Sequence, residues 1–142
     1  MNRLVVAIFL SMLTYHSLAS ALELSQADAG VYVVLDQNRQ PTSLRYRFVN
    51  DAGSWRAEGR DGDGAWRSIS CEGDCQYKTV EGALALTYLP PAMRQSYTIA
   101  CVKNVAQAFC KYVDKENPSQ GGYVVMALVA NPPRPILVRR ER

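Results

Sequence analysis

From residue 42 to residue 49 the chain alternates without a break: Leu44, Tyr46 and Phe48 point one way, Arg45 and Arg47 the other. A period of two marks a β-strand with one buried and one wet face. Residues 30–35 (Gly-Val-Tyr-Val-Val-Leu) read as a first strand, 54–60 as a third and 65–71 as a fourth. The runs 36–41, Asn50-Asp51-Ala52-Gly53 and Asp61-Gly62-Asp63-Gly64 separate them as turns. Centring the second of these turns on Asp51-Ala52 and the third on Gly62-Asp63 sets Phe48 opposite Trp55, Tyr46 opposite Ala57, and Gly59 opposite Trp66. The Trp66 ring then covers the missing side chain of Gly59. One face of this unit carries Leu44, Tyr46, Phe48, Trp55, Ala57 and Trp66; the other carries Arg45, Arg47, Arg56, Glu58, Arg60 and Arg67. A one-residue slip would bury arginines, so the pattern pins the register.

Beyond Cys75 the pattern changes. Thr79 is placed to cap a short helix ending at Tyr88, with Ala83, Leu84, Ala85 and Leu86 inside, and Pro90-Pro91 stops it. Strand alternation returns at 95–102 and 108–113; 123–130 is almost wholly apolar, as a central strand is, and 136–138 makes a last short strand. Val102, Val105, Ala106, Phe109 and Val113 also fit helical spacing. A Cys101–Cys110 bond would exclude that helix, because ten helical residues hold their ends well over about 10 Å apart. Seven or eight strands with one short helix predict a mainly β domain, a small antiparallel β-barrel or sandwich with the helix at one end.

The N-terminus sets the compartment. A short basic start at Arg3 precedes an apolar run, 4–13, broken only by Ser11; Ala19-Ser20-Ala21 then supplies small residues at a cleavage point. This is the order of a secretory signal, expected to be cut after Ala21. It divides the chain into a leader, 1–21, and one exported domain, 22–142, destined for the periplasm or secretion. The rival, an uncleaved anchor helix, needs roughly 20 apolar residues, more than this run offers. No cysteine stands at the cut to carry a lipid anchor.

Removing the leader removes the single histidine, His16. The exported domain then lacks the commonest general base and metal ligand, and with them the Ser-His-Asp and Cys-His nucleophilic sites. Losing Arg3 with the leader lowers the formal net charge from +3 to about +2, too mild to point to nucleic acid. Four cysteines, Cys71, Cys75, Cys101 and Cys110, in a small exported domain imply two disulfides, with Cys71–Cys75 and Cys101–Cys110 the preferred pairing. A zinc site is the rival, but the C-x3-C and C-x8-C spacings lack paired C-x2-C knuckles. No glycosylation sequon competes, since Asn117-Pro118-Ser119 is disqualified by its proline.

Two surfaces are candidates for recognition. The first is the arginine face: Arg45, Arg47, Arg56, Arg60 and Arg67 could meet an acidic partner, although the plainer reading is the solvated outside of a barrel. The second is the proline-stiffened loop Tyr88-Leu89-Pro90-Pro91-Ala92-Met93, suited to a partner's groove, or, more plainly, folded onto the core. Asp61-Gly62-Asp63-Gly64 evokes a calcium loop but lacks the remaining ligands of one, and a hairpin turn explains it. Asp28, Asp36, Glu58, Asp74, Glu81, Asp114 and Glu116 could in principle supply a hydrolytic pair, yet nothing marks two of them. These observations favour a non-catalytic exported binding module without metal or cofactor. Its expected partner is another exported or envelope protein, with an inhibitor or immunity-type protein acting on a toxin or hydrolase the leading class. The alternative is a carrier of a small apolar ligand, with Tyr46, Phe48, Trp55 and Trp66 lining the interior.

Overall fold

The computed structural model describes residues 21–69 and 75–142. The expected leader up to residue 20, and Cys71 with its expected bond to Cys75, lie outside the described residues. The elements run β1 (Gly30–Leu35), β2 (Pro41–Asp51), β3 (Ser54–Asp61), β4 (Arg67–Ser68), β5 (Lys78–Thr79), α1 (Gly82–Thr87), β6 (Tyr97–Lys103), β7 (Gln107–Asp114), β8 (Gly121–Ala127) and β9 (Arg134–Arg140). Two short 3-10 turns, Gln26–Asp28 and Pro91–Met93, precede β1 and β6. All nine strands belong to one antiparallel sheet in the order β4-β3-β2-β1-β9-β8-β7-β6-β5. Two meanders, β1 to β4 and β5 to β9, are joined where β1 pairs with β9. The sheet curls into a half-barrel, so the mainly β, barrel-like expectation holds.

The ninth strand arises where a helix start was expected. Thr79 does not cap α1; with Lys78 it pairs with Val102 and Lys103. The cap is Glu81, whose carboxylate accepts from the Ala83 and Leu84 N–H groups and satisfies donors that a helix start leaves open. The ambiguous stretch is strand–turn–strand, with Cys101 opposite Cys110 and bonded to it. On the chain-entropy model a loop this short stabilises the fold by about 3 kcal/mol.

Both turns flanking β3 shift the expected register. The β2–β3 hairpin turns on Ala52 and Gly53, at φ 49° and 91°, with Asp51 closing opposite Ser54. Two successive positive φ values give the primed turn whose twist suits a hairpin, and Asn50 Oδ1 accepts from the Gly53 N–H at 2.7 Å. Phe48 therefore faces Ala57, and Trp55 faces Asn50. This two-residue shift keeps every side chain on its expected face. The β3–β4 connection slips by an odd step instead: Gly59 faces Arg67, not Trp66. Trp66 is thereby turned to the outer, arginine face. The side chain over Gly59 is Ile69, whose Cγ2 stands only 2.5 Å from where a Cβ would be built.

Inward positions from the whole sheet make one core. Phe48 stacks on Phe109 with ring centroids 3.9 Å apart, and Tyr32, Trp55 and Tyr123 surround that pair. Each such buried ring contributes about 1.5–3 kcal/mol. The contact between Trp55 on β3 and Phe109 on β7 shows how far the sheet has curled. Two of the polar side chains that enter this interior, Gln107 and Lys111, find partners there. Gln107 Nε2 donates to the Tyr77 hydroxyl at 2.5 Å, and Lys111 Nζ to Asp28 Oδ1 at 2.9 Å.

Asp28 fastens the 3-10 turn Gln26–Asp28 into one end of the half-barrel. Its carboxylate is 2 % exposed. It accepts from Lys111, the Tyr123 hydroxyl and the Ser25 N–H, and its backbone carbonyl accepts from the buried Tyr32 hydroxyl at 2.5 Å. Burial alone would raise the Asp28 pKa. The hydrogen bonds from Lys111, Ser25 and Tyr123, with the Lys111 charge, outweigh it and hold the carboxyl below its usual value. Arg140 completes the fastening by donating to the Ala27 and Ala29 carbonyls at 2.7 and 2.8 Å.

Candidate functional site

Alternation puts every second side chain on the outer surface of the sheet, and the two halves of that surface differ. On β2 and β3 the outward residues are Arg45, Arg47, Arg56, Glu58 and Arg60. Most of this charge is answered locally. Arg45 pairs with Glu141 at 2.5 Å, Arg47 with Glu58 at 2.5 Å, and Arg56 with Asp51 at 3.6 Å. Arg47 and Arg60 both stack on the Trp66 ring, their guanidinium carbons 4.5 and 4.6 Å from its centroid. Arg67, expected among them, stands opposite Gly59 on the short edge strand. The face is thus a set of ion pairs around one indole.

On β6 to β8 the outward residues are apolar over most of their length, Ile99, Cys101, Ala108, Cys110, Val124 and Met126, with Lys103 at the end of β6. A sheet surface of this kind needs a cover, and the chain between β5 and β6 supplies it. Val80, Ala85 and Leu89 pack down on these residues. Pro90 and Pro91 lead into the second 3-10 turn, which forbids further helix. Arg94 ties the cover together by donating from Nε to the Leu89 carbonyl at 3.0 Å and from Nη2 to the Thr87 carbonyl at 3.3 Å. Leu89, expected as a contact residue, is 4 % exposed and supports the cover from beneath. Tyr88 and Met93 are half-buried, and Pro90 is exposed.

The cover does not reach β9. Between it and the proline-rich β8–β9 loop lies a groove of about 930 Å³. Tyr88, Pro90, Met93 and Arg94 form one wall; Pro132, Pro133, Pro135 and Leu137 form the other; Tyr112, Val124, Met126 and Leu128 lie between. Arg39, Lys103 and Asn104 add polar groups at one end, and the lining includes no aspartate or glutamate. Burial raises the Tyr88 pKa, so its hydroxyl is neutral at ordinary pH. A smaller cleft of about 470 Å³ involves Leu22, Leu24, Trp55 and Tyr77.

The structure therefore brings the expected Tyr88, Leu89, Pro90 and Met93 into one groove and separates them from the arginine face. Of the four rings expected around an interior ligand, Phe48 and Trp55 are buried in the aromatic core, Tyr46 is packed against it, and Trp66 is on the outer surface. Arg39, Lys103, Tyr112, Met126 and Leu137 were not anticipated as site residues. The signal for some of them was present: 123–130 is almost wholly apolar, so both faces of that strand had to be covered or used. Among the described residues no helix is long and apolar enough to cross a membrane, and no group of three or more His, Cys, Asp or Glu is placed to hold a metal. Comparison with known protein families, curated proteins and solved structures finds no match to this chain.

Proposed function

We propose that the chain is an exported binding module that recognises another exported or envelope protein through the groove bordered by Tyr88, Pro90 and Met93. An inhibitor or immunity-type protein acting on a toxin or hydrolase is the class of activity this suits. One observation carries the reading. A preformed apolar groove, held open by prolines on both walls, lies on the outside of a domain whose interior is packed with aromatic rings. Rigid walls spare a complex the entropy of ordering a loop, and Tyr and Met are favoured contact residues. The leader-like N-terminus supports the compartment.

A second reading, a carrier of a small apolar ligand, draws on the groove's size, which falls within the roughly 300–1,000 Å³ typical of small-molecule sites. The ligand would then lie outside the half-barrel.

The test is affinity capture from periplasmic extract with the mature chain, residues 22–142. We expect a retained protein whose recovery falls at least tenfold with Tyr88→Ala combined with Met93→Ala, and is unchanged with Arg56→Ala. Equal recovery by wild type and the groove variant would overturn the proposal.

A further inference from the structure

The groove is apolar along its length but charged with one sign only. Its lining contains Arg39, Arg94 and Lys103 and no carboxylate. Arg94 is committed to the Leu89 and Thr87 carbonyls. Arg39 and Lys103 make no side-chain hydrogen bond or ion pair among the described residues. They belong to one end of the sheet, where the β1–β2 and β6–β7 turns and the β8–β9 loop gather.

Asn104 marks the same end. Its Oδ1 accepts from the Ala106 and Gln107 N–H groups, both at 2.9 Å. That fixes the amide so that Nδ2 is the donor left over. Asn104 is 7 % exposed, and Nδ2 has no acceptor among the described residues. Buried polar groups without partners are rare and call for a reason.

We propose that the groove is a site for a single-chain aliphatic carboxylate. Its headgroup lies at the Arg39, Lys103 and Asn104 end, and its chain runs along Met126 and Leu137 towards Tyr88. The proposal rests on the second reading of the groove, a carrier of a small apolar ligand, and adds the chemistry of that ligand. Length agrees: at about 3.4 Å per residue, the stretch from Val124 to Leu128 that floors the groove spans roughly 14 Å, enough to lay out most of an extended aliphatic chain. Volume favours one chain, since about 930 Å³ is near the upper end of small-ligand sites. Charge excludes a cationic amphiphile, which would meet Arg39 and Lys103 with no counter-charge.

Calorimetric titration of the mature chain, disulfides intact, with dodecanoate below its critical micelle concentration tests this. Dodecyltrimethylammonium is the control of opposite charge. Dodecanoate is expected to saturate at one per chain, with the cation at least tenfold weaker. Lys103→Ala and Arg39→Ala should each weaken dodecanoate three- to tenfold without moving the melting temperature. Leu137→Asp, on the exposed wall, should abolish binding while the circular dichroism spectrum is kept. Equal affinity for both amphiphiles, no saturation by dodecanoate, or association only with phosphatidylglycerol vesicles would each overturn the assignment. Should dodecanoate fail while protein capture still depends on Tyr88 and Met93, the ligand assignment falls and the recognition groove stands. Loss of both removes the groove itself.

Discussion

The two halves of the sheet's outer surface obey the same alternation and reach opposite solutions. On β2 and β3 the outward positions are charged and remain in contact with water, neutralised by Glu58, Asp51 and Glu141. On β6 to β8 they are apolar and carry the Cys101–Cys110 bond, and a separate stretch of chain is folded over them. The outer face of the first half needs no cover. The second depends on a cover only six helical residues and one 3-10 turn long, which leaves a strip of floor open. The groove is a consequence of that mismatch in size. An open apolar groove arises here because the sheet face is wider than the segment that shields it.

The sharpest way to break the comparison is to loosen the cover. Leu89→Ala removes a side chain buried between α1 and the sheet, and large-to-small changes of this kind cost about 2–5 kcal/mol. We expect that loss in urea unfolding, together with exposure of Met126 and Val124 detectable as dye binding. The same truncation has no counterpart on the arginine half, where Arg56→Ala should change stability by less than about 0.5 kcal/mol. A small effect of Leu89→Ala would mean that the cover is not anchored through this residue.

Next in size is the joint between the halves. Tyr32 on β1, Lys111 on β7, Tyr123 on β8 and Arg140 on β9 all converge on the 3-10 turn that ends at Asp28. The Asp28 pKa is depressed in the folded state, so its contribution is complete above the unfolded value of about 3.9. It is lost as pH falls through the folded value. Asp28→Asn should therefore cost about 1.5–3 kcal/mol at pH 7, the range for a hydrogen bond to a charged group. The gap from wild type should shrink as pH is lowered towards 3. Urea midpoints at pH 7, 4 and 3 check this; a gap that is constant with pH would remove the ionised carboxylate from the account.

The fold was legible where a single strand decides its own structure. Residues 30–35 and the Arg/aromatic alternation of 42–49 needed no partner to be read, and the Cys101–Cys110 pairing correctly settled the helix-or-strand ambiguity between them. Registers were less legible, because they depend on which turn residues accept positive φ. Gly53 was an evident candidate, but Ala52 in the same conformation was not. The groove was half legible. Its 88–93 wall carries a sequence signature of apolar residues around Pro90-Pro91. The opposite wall and the cationic end come from β9 and three turns far apart in the chain, and only the closed sheet brings them together.

The smallest expected effect is also the one that separates two readings of the arginine half. Alternation with a tight β3–β4 turn would place Trp66 inside, over Gly59; there Trp66→Ala would cost about 3–5 kcal/mol, as for other buried aromatic rings. In the structure Ile69 occupies that place, and Trp66 lies outside between Arg47 and Arg60. Each partly exposed cation–π contact contributes about 0.5–1 kcal/mol, so Trp66→Ala should cost only about 1–2 kcal/mol. Ile69→Ala, by contrast, should behave as a core truncation. Arg60 adds a check, because among the described residues its Nε is buried without a hydrogen-bond partner and its guanidinium stacks on the indole face. Arg60→Ala and Trp66→Ala should then be strongly non-additive in a double-mutant cycle. Full additivity, or a Trp66→Ala cost in the core range, would return the indole to the interior and dissolve the distinction between a half held by stacked charges and a half held by a cover.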